Sequence, residues 1–260
     1  MLGYQQGGNV EGRKVVFLHG LLGSGQDWQG VTSRLRDCHW LCIDLPGHGD
    51  SVDALGVDFT TTLDAVRQTC DHVWGNQSAY LVGYSLGARI AMHLAIAYPA
   101  CWLGLFLEAG HPGLRHAHER HQRLAHDQAW AKRFGCEPLS AVLNDWYQQS
   151  VFQSLDAAQR AELITARGHN HGPAIAAMLD ATSLGRQADL RTVLGNVCRQ
   201  GLPIDYLCGE QDDKFISLAH SLLLTTGIPF TLIKGAGHNC HWADPSRFVQ
   251  VLLEKCLLSA

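Results

Sequence analysis

Three side chains far apart in this chain, Ser85, Asp212 and His238, have the types that nucleophilic or proton-transfer chemistry requires. A serine hydroxyl is unreactive until a base takes its proton, and an imidazole needs an acid to orient it. Ser85 lies in Gly83-Tyr84-Ser85-Leu86-Gly87, behind an apolar run from Ala79 to Tyr84. An Ala/Leu/Ile/Met-rich segment with helical spacing follows to Ala97 and stops at Pro99. A strand must therefore become a helix with Ser85 at the apex. Gly83 and Gly87 lack a Cβ, which lets strand and helix approach closely at such a strained turn. The helix start aims free N–H groups and its positive dipole end at the same spot. The N–H of Leu86 is thus one expected donor to an oxyanion. The second is expected from His19-Gly20-Leu21, at Leu21 N–H.

The elements needed to position these groups are legible. Lys14 to His19 reads as a buried strand, followed by a Gly-rich loop to Gly25 and a helix from about Asp27 to Arg36. Trp40 to Asp44 reads as a strand running into the turn-rich Leu45-Pro46-Gly47-His48-Gly49-Asp50-Ser51. Phe59 to Trp74 has helical spacing, and Trp102 to Glu108 and Pro203 to Cys208 read as strands. Pro229 to Ile233 is the last strand, and Asp244 and Pro245 suit the start of a closing helix. This alternation predicts an α/β fold with a mostly parallel, doubly wound sheet. Ser85, Asp212 and His238 each follow a strand, and strand ends of such a sheet share one crevice. Of fifteen histidines, only His238 follows the last strand in a Gly-rich loop. Asp213 and His241 are the nearest competitors for acid and base.

Between His111 and about Arg186 no strand-like run occurs, and the text is helical and Arg/His-rich. We expect residues 111–186 to be a helical lid inserted into a core of 1–110 and 187–260. The chain has 260 residues, 46% hydrophobic and 17% charged, enough for one α/β domain with an insertion. Its net charge of -4 argues against a nucleic-acid partner. No apolar run is long enough to span a membrane, and the first residues lack a signal-peptide core. Nine scattered cysteines without a C-x-x-C pair read as reduced, mostly buried thiols of a cytoplasmic protein. A cysteine nucleophile is the rival, but none sits at a comparable turn. The histidines from His111 to His126 match no standard zinc spacing, so no metal is expected.

The His-Gly of the first loop, Asp-Leu-Pro-Gly-His-Gly-Asp-Ser, Gly-Tyr-Ser-Leu-Gly and Gly-Ala-Gly-His together resemble an α/β-hydrolase across the whole chain. Leu81 to Arg89, Glu108 to Leu114, Asp145 to Gln149 and Tyr206 to Phe215 resemble the 2-succinyl-6-hydroxy-2,4-cyclohexadiene-1-carboxylate synthases of menaquinone biosynthesis. That resemblance implies an elimination: a proton leaves the succinyl side chain and the ring loses its enolpyruvyl group as pyruvate. It implies no cofactor and a small tricarboxylate substrate read by arginines. Arg89, one helical turn after Ser85, is then one carboxylate ligand. By the same resemblance Arg123 and Arg167 are the others, and Tyr84 and Trp146 line the pocket. The expected assembly is a monomer or small homo-oligomer. A carboxylic-ester hydrolase with the same triad is the alternative, followed by a non-catalytic ligand receptor of this fold.

Overall fold

The computed structural model describes residues 1–54 and 58–257, and its chain winds around a seven-stranded sheet ordered β1-β3-β2-β4-β5-β6-β7. The strands are β1 (Tyr4–Gly8), β2 (Arg13–Leu18), β3 (Cys38–Ile43), β4 (Ala79–Tyr84), β5 (Trp102–Glu108), β6 (Ile204–Gly209) and β7 (Phe230–Ile233). All neighbours run parallel except β1, which pairs antiparallel with β3. Every residue of the central β4 is buried, as helices on both faces of a parallel sheet require. Side chains alternate across β2: Val16 and Leu18 enter one core layer with Leu81 and Leu107. Val15 and Phe17 enter the other, with Val82, Trp28 and Phe248.

Two elements depart from the sequence expectation. Tyr-Gln-Gln-Gly-Gly of β1 is polar and Gly-rich, yet it closes the sheet edge by backbone bonding to β3 alone. Gly7 is there because a Cβ would run into the ring of Trp40. The expected helix at 27–36 shrinks to a 3-10 turn, Gly25–Trp28, and one α-turn, Gln29–Thr32.

Helices Ala117–Cys136, Leu139–Trp146, Ala157–Arg167 and Gly172–Ala181 form an inserted segment between β5 and helix Arg191–Arg199. They share an apolar cluster around Phe134, Val142, Leu143 and Ile175, which Leu22 of the loop after β2 joins. The segment is pinched off where Leu190 N–H donates to Pro112 O at 2.7 Å.

Candidate active site

Ser85 stands between β4 and helix Leu86–Ala97 with φ 50° and ψ −103°. A β-carbon resists this conformation at a cost of roughly 1–3 kcal/mol, which the surroundings must impose. Here a Cβ on Gly83 would sit 2.5 Å from Gly87 O, and one on Gly87 would collide with the Leu18 backbone. Ser85 N–H donates to Glu108 O at 2.9 Å, tying the turn to the end of β5.

Asp212 and His238 arrive from the ends of β6 and β7. His238 Nδ1–H donates to Asp212 Oδ2 at 2.8 Å, so Nε2 is free to face Ser85 Oγ at 3.3 Å. A bond of that length in a resting site tightens when substrate docks. Asp212 and His238 are 6% and 7% exposed, so their pairing is screened from water. Asp212 also caps helix Asp213–Thr226, accepting Phe215 N–H through Oδ1. Asp213 is exposed on the first turn of that helix. His241 is turned away, buried against Glu108. Neither competitor reaches Ser85. Burial pushes the nearby Cys208 thiol up to about 12, which leaves it protonated and inert.

The N–H of Leu86 opens its helix and has no partner within it. The facing loop is held by two neutral histidines. Leu22 N–H donates to His48 Nε2 at 3.1 Å, and Leu45 N–H to His19 Nε2 at 2.9 Å. Burial pushes His19 down to about 4 and His48 to about 3. Asp44 adds a third brace, accepting Gly25 N–H and Asp50 N–H. Leu22 N–H and Gly23 N–H are both taken, by His48 Nε2 and Gly20 O, so neither is open to an oxyanion. Asp-Leu-Pro-Gly-His-Gly, a mere turn in the sequence, is thus the frame of this loop.

The arginines fall into two places. Arg167 closes a bidentate pair with Asp27, at 2.6 and 2.8 Å. Burial alone would raise the Asp27 carboxyl, but the guanidinium outweighs it and holds the pKa below the usual value. Arg167 and Asp27 line a cavity with Leu21, Tyr84, Tyr147 and His238. Arg89 and Arg123 lie elsewhere. Arg123 pairs with the buried Asp127 at 2.7 Å. Among the described residues, Arg89 donates to neutral acceptors, Gln187 Oε1 and Thr182 O, both at 2.6 Å. Burial, then repulsion from Arg123, pushes Arg89 down to about 9. Such a cation is stabilised by any anion that reaches it.

A model of the alpha/beta hydrolase family matches residues 15–251. The chain belongs to that family. A 2-succinyl-6-hydroxy-2,4-cyclohexadiene-1-carboxylate synthase of Citrobacter koseri is 44% identical over 95% of both chains. One from Yersinia pestis is 45% identical over 92% of this chain and 85% of its own. The structure of MenH from S. aureus superposes with a TM-score of 0.88, at 28% identity, over 98% of this chain and 97% of that one.

The two aromatic residues assigned to the pocket of this α/β hydrolase stand in different settings. Trp146 packs edge-on to Trp130 at 5.0 Å and beside Phe134, inside the inserted segment. Its neighbour Tyr147 lines the cavity instead. Tyr84 does line it, its ring 5.4 Å from that of His238.

Proposed function

We propose that this chain eliminates pyruvate from 2-succinyl-5-enolpyruvyl-6-hydroxy-3-cyclohexene-1-carboxylate, giving 2-succinyl-6-hydroxy-2,4-cyclohexadiene-1-carboxylate. The observation that carries the reading is identity of 44–45% to synthases of that product over nearly the whole chain. The two ring systems differ by one hydrogen at C2 and the substituent at C5, with the double bonds shifted between them. The proton lost is therefore on the ring carbon bearing the succinyl ketone, not within the side chain.

In this reading Ser85 Oγ takes the C2 proton while His238 Nε2 takes the hydroxyl proton, and Asp212 stabilises the imidazolium. The ketone oxygen becomes an enolate, held by the N–H groups of Leu21 and Leu86. Its electrons return through the ring and expel enolpyruvate from C5, which takes the imidazolium proton on carbon, directly or through solvent, to become pyruvate, while Ser85 keeps the C2 proton. Arg89, Arg123 and Arg167 receive the three carboxylates, and Tyr84 and Trp146 remain proposed pocket residues. We take residues 111–186, which carry Trp146, to be a lid over a core of 1–110 and 187–260. Arg167 would hold a substrate carboxylate beside Asp27 or in its place.

The proposed setting is the cytoplasm. Among the described residues no helix is long and apolar enough to cross a membrane. Intact-mass spectrometry during turnover tests the mechanism: proton transfer leaves Ser85 unmodified at every time point. A covalent adduct that accumulates on wild type and not on Ser85→Ala contradicts it, and an acyl adduct, with the mass of an ester substrate less its alcohol, supports an ester hydrolase.

A further inference from the structure

We propose that Glu108 and His241 are a positioning pair that sets the base loop of His238 against the turn of Ser85. The proposal rests on the reading of Ser85, His238 and Asp212 as one working unit. It does not depend on which substrate they act upon.

Glu108 ends β5 and is fully buried, as is the His241 side chain. One residue here holds both halves of the site. Its backbone O accepts Ser85 N–H at 2.9 Å. Its carboxylate accepts three donors from the segment directly after His238: Cys240 N–H, His241 N–H at 3.1 Å, and His241 Nδ1–H at 2.6 Å. The next residue, Ala109, has φ 48°, and its N–H donates to Leu207 O on β6, the strand that delivers Asp212. His241 is fixed in turn by stacking on Trp28, centroids 4.1 Å apart and planes 22° apart. Tyr84 fills the space between, 5.0 Å from His241 and 5.4 Å from His238.

A buried carboxylate is costly even when fully hydrogen-bonded, and a well-packed apolar residue commonly serves stability as well or better. What an apolar residue cannot do is fix three N–H vectors of a loop through two oxygens. Asp212 orients the His238 ring, and Glu108 orients the backbone that carries it. The pair touches no reacting atom, so its effect belongs in the rate and not in substrate affinity.

Three variants of the full-length enzyme separate positioning from packing. Glu108→Gln keeps the shape but turns an NH2 toward His241 Nδ1–H. His241→Asn keeps a donor where Nδ1 stands. His241→Phe keeps the ring on Trp28 and loses the donor. For each, kcat and KM for pyruvate release are measured with the thermal midpoint. The second-order rate at which a small fluorophosphonate labels Ser85 is measured per folded molecule.

Misplacement of a catalytic group costs up to roughly 100-fold, so Glu108→Gln and His241→Phe should lose about 10- to 100-fold in kcat and labelling. KM should stay within about threefold, and His241→Asn should keep labelling and kcat within about threefold of wild type. Packing alone predicts the reverse order of the two His241 variants, and that order overturns the proposal. If Glu108→Gln does not fold, the two His241 variants decide. If wild type labels but releases no pyruvate, the substrate reading fails, and labelling still decides the positioning role. If wild type releases pyruvate but does not label, kcat decides the positioning role; a wild type that neither labels nor releases pyruvate overturns both.

Discussion

Ser85, His238 and Asp212 owe their chemistry to one another, so their losses are expected not to add. Ser85→Ala, Asp212→Asn and His238→Ala should each lower kcat by orders of magnitude, and a double variant should be little worse than the worse single one. Asp213→Asn should be near wild type, since that carboxyl is exposed and away from the imidazole. A dead Asp213→Asn beside an active Asp212→Asn reverses the assignment. The arginines separate by their partners. Arg89 has no carboxylate partner among the described residues, so Arg89→Ala should act on kcat/KM by about 2–5 kcal/mol, with partial rescue by Lys. Arg167→Ala also strands the half-buried Asp27 and should cost about 1–3 kcal/mol of stability. In the Asp27→Ala/Arg167→Ala double variant the stability loss should be smaller than the sum. Equal thermal midpoints for Arg89→Ala and Arg167→Ala contradict this division of roles.

At the level of elements, the steric frame of the serine turn makes its own prediction. Gly87→Ala drives a Cβ into the Leu18 backbone and should cost at least about 1–3 kcal/mol of stability. Gly135→Ala, inside helix Ala117–Cys136 with its nearest neighbour at 3.7 Å, should stabilise by about 0.5–1 kcal/mol. Thermal melts of the two variants check the pair, and a neutral Gly87→Ala refutes the close approach. The strand–turn–helix around Ser85 was legible because local signals agree: a buried run, two glycines, a helical run and Pro99. Helix Phe59–Trp74 matched its expected limits for the same reason, capped by Asp58 and Thr61. β1 was not legible, because Gln and Gly mark no core face and only the partner edge of β3 makes it a strand. Glu108 with His241, 133 residues apart, and Asp27 with Arg167, 140 apart, carry no local signal at all. Trp146 was expected in the pocket by resemblance, and its contacts with Trp130 and Phe134 carry no local signal in the sequence.

For the molecule as a whole, buried neutral histidines tie stability to pH. Burial lowers His19 and His93 to about 4 and His48 and His111 to about 3, whereas the unfolded chain protonates them near 6.5. Below pH 6.5 the unfolded state therefore binds more protons. Stability is full above that pH and is lost on acidification, by up to about 1.4 kcal/mol per pH unit for each such histidine. Urea midpoints at pH 7.5, 6.0, 5.0 and 4.5 should fall in that order, and a flat profile contradicts the burial of neutral imidazoles. The central claim is the elimination itself. Its most direct test is continuous measurement of pyruvate after mixing the enzyme with 2-succinyl-5-enolpyruvyl-6-hydroxy-3-cyclohexene-1-carboxylate, using coupled NADH oxidation by lactate dehydrogenase. The prediction is one pyruvate per cyclohexadiene formed, at a rate that Ser85→Ala abolishes. Pyruvate at only the uncatalysed rate, with rapid Ser85-dependent cleavage of simple aryl esters, would contradict it.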